Sequence, residues 1–142
     1  MHYKGNNKVT LDSKARLAIP TRHREPLMAQ CGGKLVITLG KFDQALLLPE
    51  PVWEKILVQL EDMDPSHPTR TSLVMNAEDV EMDSGGRILM PASLRERGLF
   101  PNSSLAFMGN LSHFEVWDWD ARMAKEASER AQRQQGWDSL RY

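Results

Sequence analysis

Cysteine is all but missing from this chain of 142 residues: Cys31 stands alone, which excludes an internal disulfide and any zinc site built from several thiolates. Its place before Gly32 and Gly33 fits a small apolar filler ahead of a turn. Long apolar runs are also missing. The longest, Ala45 to Leu48, is far short of the roughly 20 residues of a membrane span. The opening Met1, His2, Tyr3, Lys4, Gly5 has no hydrophobic signal region, so the chain is expected to stay in the cytoplasm. Catalytic patterns are lacking as well. His2, His23, His67 and His113 are scattered without metal-ligand spacing, and there is no Gly-x-Ser-x-Gly, phosphate loop or Cys/His pairing. The sequence therefore predicts no enzyme, cofactor, metal, membrane contact or small-molecule substrate. Net charge is only −1, from 18 Lys and Arg against 19 Asp and Glu, so the sum does not announce a nucleic-acid partner.

What is present is the balance of a folded protein, 41% apolar and 26% charged, in a length that suits one compact object. The charge is unevenly spread. Residues 1–24 carry six Lys or Arg against Asp12 alone, whereas residues 50–83 carry nine Asp or Glu against Lys55 and Arg70. The basic end attracts phosphate and the acidic stretch repels it.

The strongest signal is an internal repeat. Val9 to Glu25 aligns without gaps with Val80 to Glu96 at an offset of 71, with seven identities in seventeen pairs. The matched residues include Asp12/Asp83, Ser13/Ser84, Arg16/Arg87, Pro20/Pro91 and Arg24/Arg95. The likeness continues weakly from Leu35–Gly40 to Leu105–Gly109 and from Ala45–Leu48 to Phe114–Trp117. The chain thus reads as two halves, 1–71 and 72–142, the second ending in a helical tail.

Within each half, Val9 to Leu11 and Val80 to Met82 are expected as short strands paired with Arg16 to Ile19 and Arg87 to Met90. Asp, Ser and Gly between them supply turn chemistry. Pro20 and Pro91 close the second strands, and short helices follow from Thr21 and Ala92. Gly98 is the expected stop of the second helix, and Pro26 is expected to break or kink the first after one turn. Leu35–Leu39 with Ala45–Leu48, and Leu105–Gly109 with Phe114–Trp117, read as hairpins. Helices are expected from Pro51 to about Glu61, with Val52, Ile56 and Leu60 on one face, from Ser66 to Met75, and from Trp119 through Gln135.

The residues with a physical purpose flank the repeated turn: Lys14, Arg16, Arg22 and Arg24 in the first copy, Arg87, Arg95 and Arg97 in the second. An arginine fork matches the two acceptors of a guanine edge, and lysines neutralise phosphates without reading sequence. A narrow two-stranded ribbon fits the major groove. Asp12 and Asp83 are repelled by phosphate, so their repetition points to holding the turn or orienting the arginine four residues on. The residues alone also allow two ordinary polar turns with a salt bridge each. His23, between Arg22 and Arg24, could assist an anionic contact or stand solvated or as a cap.

At these motifs the sequence resembles a known family. Asp12 to Pro20 and Asp83 to Pro91 are similar to the Asp-x-Lys-Gly-Arg and Asp-x-x-Gly-Arg signatures of the MraZ proteins, bacterial transcriptional regulators of the division and cell-wall gene cluster. The resemblance covers residues 1 to about 125, including Leu35 to Trp53 and Trp117-Asp118. It implies an α+β, mainly β fold: a double SpoVT-AbrB-like swapped-hairpin barrel with short flanking helices, in which two halves of one chain imitate a dimer. It implies a homo-oligomeric ring that binds direct repeats of double-stranded DNA upstream of its own operon, associated with the nucleoid. Weak contacts would add by avidity. The family's basic contacts fall on Lys14, Arg16 and Arg87, with Gly85 in place of a second lysine. Ala15 departs from the family's usual glycine, so a turn requiring positive φ is strained there. Pro26 and the polar stretch Pro65 to Thr69 are further departures. The same barrel also serves as a partner-binding antitoxin module, for which the acidic stretch 50–83 could face a basic partner.

Overall fold

The computed structural model describes residues 2–97 and 104–142. Along them run β1 (Asn6–Thr10), β2 (Arg16–Ala18), α1 (Thr21–Cys31), β3 (Lys34–Leu39), β4 (Ala45–Pro49), α2 (Glu50–Glu61) and α3 (Pro68–Met75). The same order then recurs as β5 (Glu78–Glu81), β6 (Arg87–Leu89), α4 (Ala92–Glu96), β7 (Ser104–Asn110), β8 (His113–Asp118) and α5 (Trp119–Ser128). The chain ends in α6 (Arg130–Gly136) and a 3-10 turn, Trp137–Ser139. The fold class is α+β, mainly antiparallel β with short helices.

Local chemistry explains most boundaries. Pro20 and Pro91 end β2 and β6 and cap α1 and α4, because neither can donate a ladder bond. The expected break after one turn does not occur, and α1 continues through Pro26 to Cys31. With the helix starting at Thr21, the missing N–H forfeits one interior bond, to the Arg22 carbonyl. Burial of Leu27, one turn after buried His23, holds the helix together. It stops at Gly32, whose φ of 63° is left-handed and whose N–H donates to Met28 O at 3.0 Å. Helix α3 starts two residues later than expected. Asp64 Oδ1 holds the Ser66 N–H at 2.8 Å, Pro68 suits the first turn, and His67 Nδ1 accepts from Thr69 N. The tail helix is broken at Glu129 into α5 and α6. The expected stop at Gly98 lies outside the described residues.

Strand pairing departs from the local expectation. β1 does not pair with β2, nor β5 with β6: β1 pairs with β7, β5 with β3, and β2 with β6, so each half lends strands to the other. The Leu11–Leu17 bridge is what remains of the first local pair. The hairpins β3–β4 and β7–β8 form as expected and join along β4–β8, where Leu46 lies opposite Glu115. The outcome is a six-stranded sheet, β1-β7-β8-β4-β3-β5, and a separate two-stranded ribbon, β2-β6. A closed barrel, expected from the resemblance, is not formed. β2 and β6, three residues each, satisfy one another and leave the sheet open at β1 and β5.

The core lies between the sheet and the ribbon. Leu17, Ile19, Ile88 and Met90 from the ribbon side meet Leu35, Ile37, Leu47, Leu105, Phe107 and Phe114 from the sheet, all buried. Burying each such side chain contributes roughly 1.5–3 kcal/mol, which fixes the ribbon against the sheet. Helices α2 and α3 pack on β3, and α5 on β7 and β8. With both faces covered, β3 is buried without alternation from Leu35 to Leu39, the hydroxyl of Thr38 donating to Leu73 O at 2.8 Å.

Candidate functional site

The two repeated turns share one construction. Ala15 N–H donates to Asp12 O at 3.0 Å and Asp12 N–H to Arg16 O at 2.9 Å; Gly86, Asp83 and Arg87 repeat both bonds at 3.0 and 2.9 Å. Such a three-residue loop needs a left-handed residue in third place. Gly86 supplies it with φ 75° and Ala15 with φ 60°, so the position occupied by alanine does adopt the strained region.

The aspartates sit inside these turns. Asp12 Oδ1 accepts from Lys14 N (2.9 Å) and Arg16 N (2.8 Å), while Oδ2 accepts from Arg16 Nε at 2.9 Å. Asp83 Oδ1 accepts likewise from Gly85 N and Arg87 N, and its Oδ2 lies 3.3 Å from Arg87 Nε, outside hydrogen-bond geometry. The first turn therefore grips its arginine more firmly than the second. The Arg16 N–H above all, then the Lys14 N–H and the Arg16 guanidinium, holds the Asp12 carboxyl below its ordinary pKa; for Asp83 the Arg87 N–H is foremost. Both carboxylates are thus ionised at neutral pH. Asp12 occupies the Nε of Arg16 and Asp83 only ion-pairs with that of Arg87, and the terminal nitrogens of Arg16 and Arg87 have no partner among the described residues.

The ribbon brings the two arginines together. Arg16 pairs with Leu89, Leu17 with Ile88 and Ala18 with Arg87. Leu17 and Ile88 are buried, so alternation turns Arg16, Ala18, Arg87 and Leu89 to the outer face. Arg16 and Arg87 are diagonal neighbours, roughly 7–8 Å apart by sheet geometry. Lys14 stands exposed in the first turn.

The remaining basic candidates are placed differently. Arg24 Nε donates to Ile19 O at 2.8 Å, and its stem lies over Gly86, so it braces the second turn from behind. Arg22 reaches Asn7 Oδ1 at 2.5 Å and lies across Gly5. His23 is neither solvated nor a cap. It is buried among Tyr3, Phe107 and Phe114, and burial, then the Arg22 charge, lowers its pKa. Leu89 and Ala18 on the outer face escaped the sequence reading. The signal was there in the period of two from Arg87 to Leu89, but it carries meaning only once β2 and β6 are known to pair.

Among the described residues no group of three His, Cys, Asp or Glu is placed to hold a metal ion, and no helix is long and apolar enough to cross a membrane.

Comparison with known proteins agrees with this two-fold construction. A family model described as "MraZ protein, putative antitoxin-like" matches twice, at residues 3–75 and 73–138. The chain is 42% identical over 129 residues to a protein of Nitrosospira multiformis named "Transcriptional regulator MraZ", covering 85% of this chain and 86% of that one. A protein of the same name from Nitrosomonas europaea is 44% identical over 126 residues, 83% and 84% of the two chains. Another from Acidovorax sp. is 41% identical over 128 residues, 89% of each. Two family matches in tandem, on the halves that exchange strands, and this identity over most of each relative's length establish that the chain belongs to the MraZ family.

Proposed function

We propose that this protein is a sequence-specific DNA-binding regulator of transcription whose reading device is the β2–β6 ribbon with its two flanking turns. The observation that carries this is the convergence of Arg16 and Arg87 on one outer face, Arg16 with its Nε bonded to Asp12 and Arg87 ion-paired with Asp83, the terminal nitrogens of both without a partner among the described residues. An arginine fixed in this way is preorganised to meet the O6 and N7 acceptors of guanine. Lys14 neutralises a phosphate beside the first turn, and Gly85 leaves the second turn without that charge, so the first copy binds more strongly. Arg22 and Arg24 add phosphate contacts only through nitrogens not already engaged. The names of the relatives support the regulatory role.

The exchange of strands between halves fits a swapped-hairpin arrangement, with repeats at 1–71 and 72–142. In this reading copies assemble into a ring on the nucleoid. The ring sets several ribbons on direct repeats upstream of the protein's own gene, in the division and cell-wall cluster, and weak contacts add by avidity. The test is binding of wild type and Arg16→Ala to labelled DNA from that upstream region and to scrambled DNA, across a salt series. Wild type should prefer its own DNA, weaken steeply with salt and lose the preference in the variant. Equal binding of both DNAs by both proteins would sink the proposal. It would favour instead the second reading, an antitoxin-like protein-binding module, which rests on the family description.

A further inference from the structure

The outer face of the ribbon is not purely basic. Leu89 is 57% exposed there, directly opposite Arg16 in the β2–β6 register, while its neighbours Ile88 and Met90 are buried. A large apolar side chain left in water between two arginines has no part in the core. Resting on the DNA-reading role proposed above, we propose that Leu89 is itself a base-reading residue. Its isobutyl group would meet the C5-methyl of a thymine beside the guanine faced by Arg16. In the major groove, thymine alone among the four bases presents a methyl group, and an aliphatic side chain recognises it by contact. The occupant follows from the surroundings: Leu89 lies opposite Arg16 and two residues along β6 from Arg87, and the exposed Lys14 in the turn before Arg16 leaves these groups one positive charge in excess of Asp12 and Asp83, which suits a polyanion.

The repeat makes the contact one-sided. Ala18 is the counterpart of Leu89 and lies opposite Arg87, so the ribbon carries an Arg–Leu pair on one side and an Arg–Ala pair on the other. Lys14 against Gly85 breaks the symmetry in the same sense. A ribbon unequal about its own two-fold axis reads a directional site, not a palindrome.

The experiment uses the full chain and a duplex from upstream of its own gene, with each thymine replaced singly by deoxyuridine, which lacks the methyl group but keeps the hydrogen bonds. Burial of one methyl corresponds to about a four-fold change in affinity. Wild type should lose about four-fold at one position per bound repeat. Leu89→Ala should bind the unmodified duplex more weakly by at least that factor and be indifferent to the replacement at that position. If wild type prefers its own DNA but every replacement affects both proteins alike, Leu89 does not read thymine, although the ribbon still reads DNA. If wild type shows no preference for its own DNA, the DNA-reading role fails and this inference with it. Sedimentation of both proteins completes the test: a change in assembly size in Leu89→Ala would assign the side chain to a contact between copies and overturn the proposal. An unchanged size together with the selective loss supports it.

Discussion

Ala15 and Gly86 hold equivalent places in the two turns and the same left-handed backbone, yet they differ in what surrounds them. A methyl in that region costs roughly 1 kcal/mol through its clash with the following carbonyl. At Gly86 the space a methyl would fill is occupied by the Arg24 stem, whose Nε donates to Ile19 O. In the first turn the methyl of Ala15 is present, and Arg95, the counterpart of Arg24, makes no side-chain hydrogen bond to a described residue. Gly86→Ala should therefore incur the left-handed cost and also evict Arg24 from a partly buried carbonyl, a loss of about 2 kcal/mol. Ala15→Gly relieves the strain but frees the unfolded chain, for a net gain of at most about 1 kcal/mol. Urea unfolding of the two variants checks both. A wild-type midpoint for Gly86→Ala would show that Arg24 does not brace the turn. The glycine requirement was legible in Gly85-Gly86 itself. The bracing was not, because Arg24 belongs to one repeat and the turn it supports to the other.

The two hairpins are tied together by a polar contact as well as by the β4–β8 register. Glu115 is 8% exposed, and its carboxylate accepts from Gln44 Nε2 at 2.9 Å, Asn110 Nδ2 at 2.8 Å and Trp117 Nε1 at 3.1 Å, with His113 Nε2 at 3.7 Å. Burial pushes its pKa up, but His113, Asn110, Gln44 and Trp117 together outweigh burial and bring it from 4.5 down to about 2. The unfolded chain therefore takes up the proton first. Glu115 contributes its full stability above pH 4.5, and the contribution drains away as pH falls toward 2. Glu115→Gln keeps the shape and removes the charge, so it should cost roughly 1–2 kcal/mol at neutral pH, discounted for residual solvent access. The gap should close as pH falls through that window. Urea midpoints measured down the pH scale check this, and a constant offset at every pH would refute it. Both hairpins were readable from sequence because each strand finds its partner within a few residues. β1 and β2 misled for the same reason in reverse: their short alternating runs satisfy a local hairpin and an exchanged pairing equally, and only the shared core selects the exchange. The Gln44–Glu115 bond spans 71 residues and left no local trace.

At the scale of the whole molecule, the strand order β1-β7-β8-β4-β3-β5 maps onto itself in reverse when the halves are interchanged, since β1 corresponds to β5, β2 to β6, β3 to β7 and β4 to β8. The pseudo-two-fold axis passes through the two pairings made by equivalent strands, β4–β8 and β2–β6. The repeat announced the symmetry, and with it both arginines and both aspartates of the candidate site. That Arg16 and Arg87 share one ribbon depends on the exchange, which no single half encodes. The same dependence predicts how a half should behave alone. Residues 1–71 contain β3 without β5 and β2 without β6, so an isolated monomer would leave Leu17, Ile19 and Ile37 without the surfaces that bury them. A second copy of the fragment could supply equivalents: β1 against β3, β2 against β2 and β4 against β4. The fragment 1–71 should accordingly be unfolded at low concentration and gain cooperative structure only as it dimerises, with a thermal midpoint that rises with concentration. Adding 72–142 in equal amount should displace that dimer, because the natural pairing restores Arg24 over Gly86 and Gln44 against Glu115. Circular dichroism melts over a hundred-fold concentration range decide the matter. A monomeric fragment with a fixed midpoint would mean that one repeat closes its own core, and that the exchange of strands is not what holds the halves together.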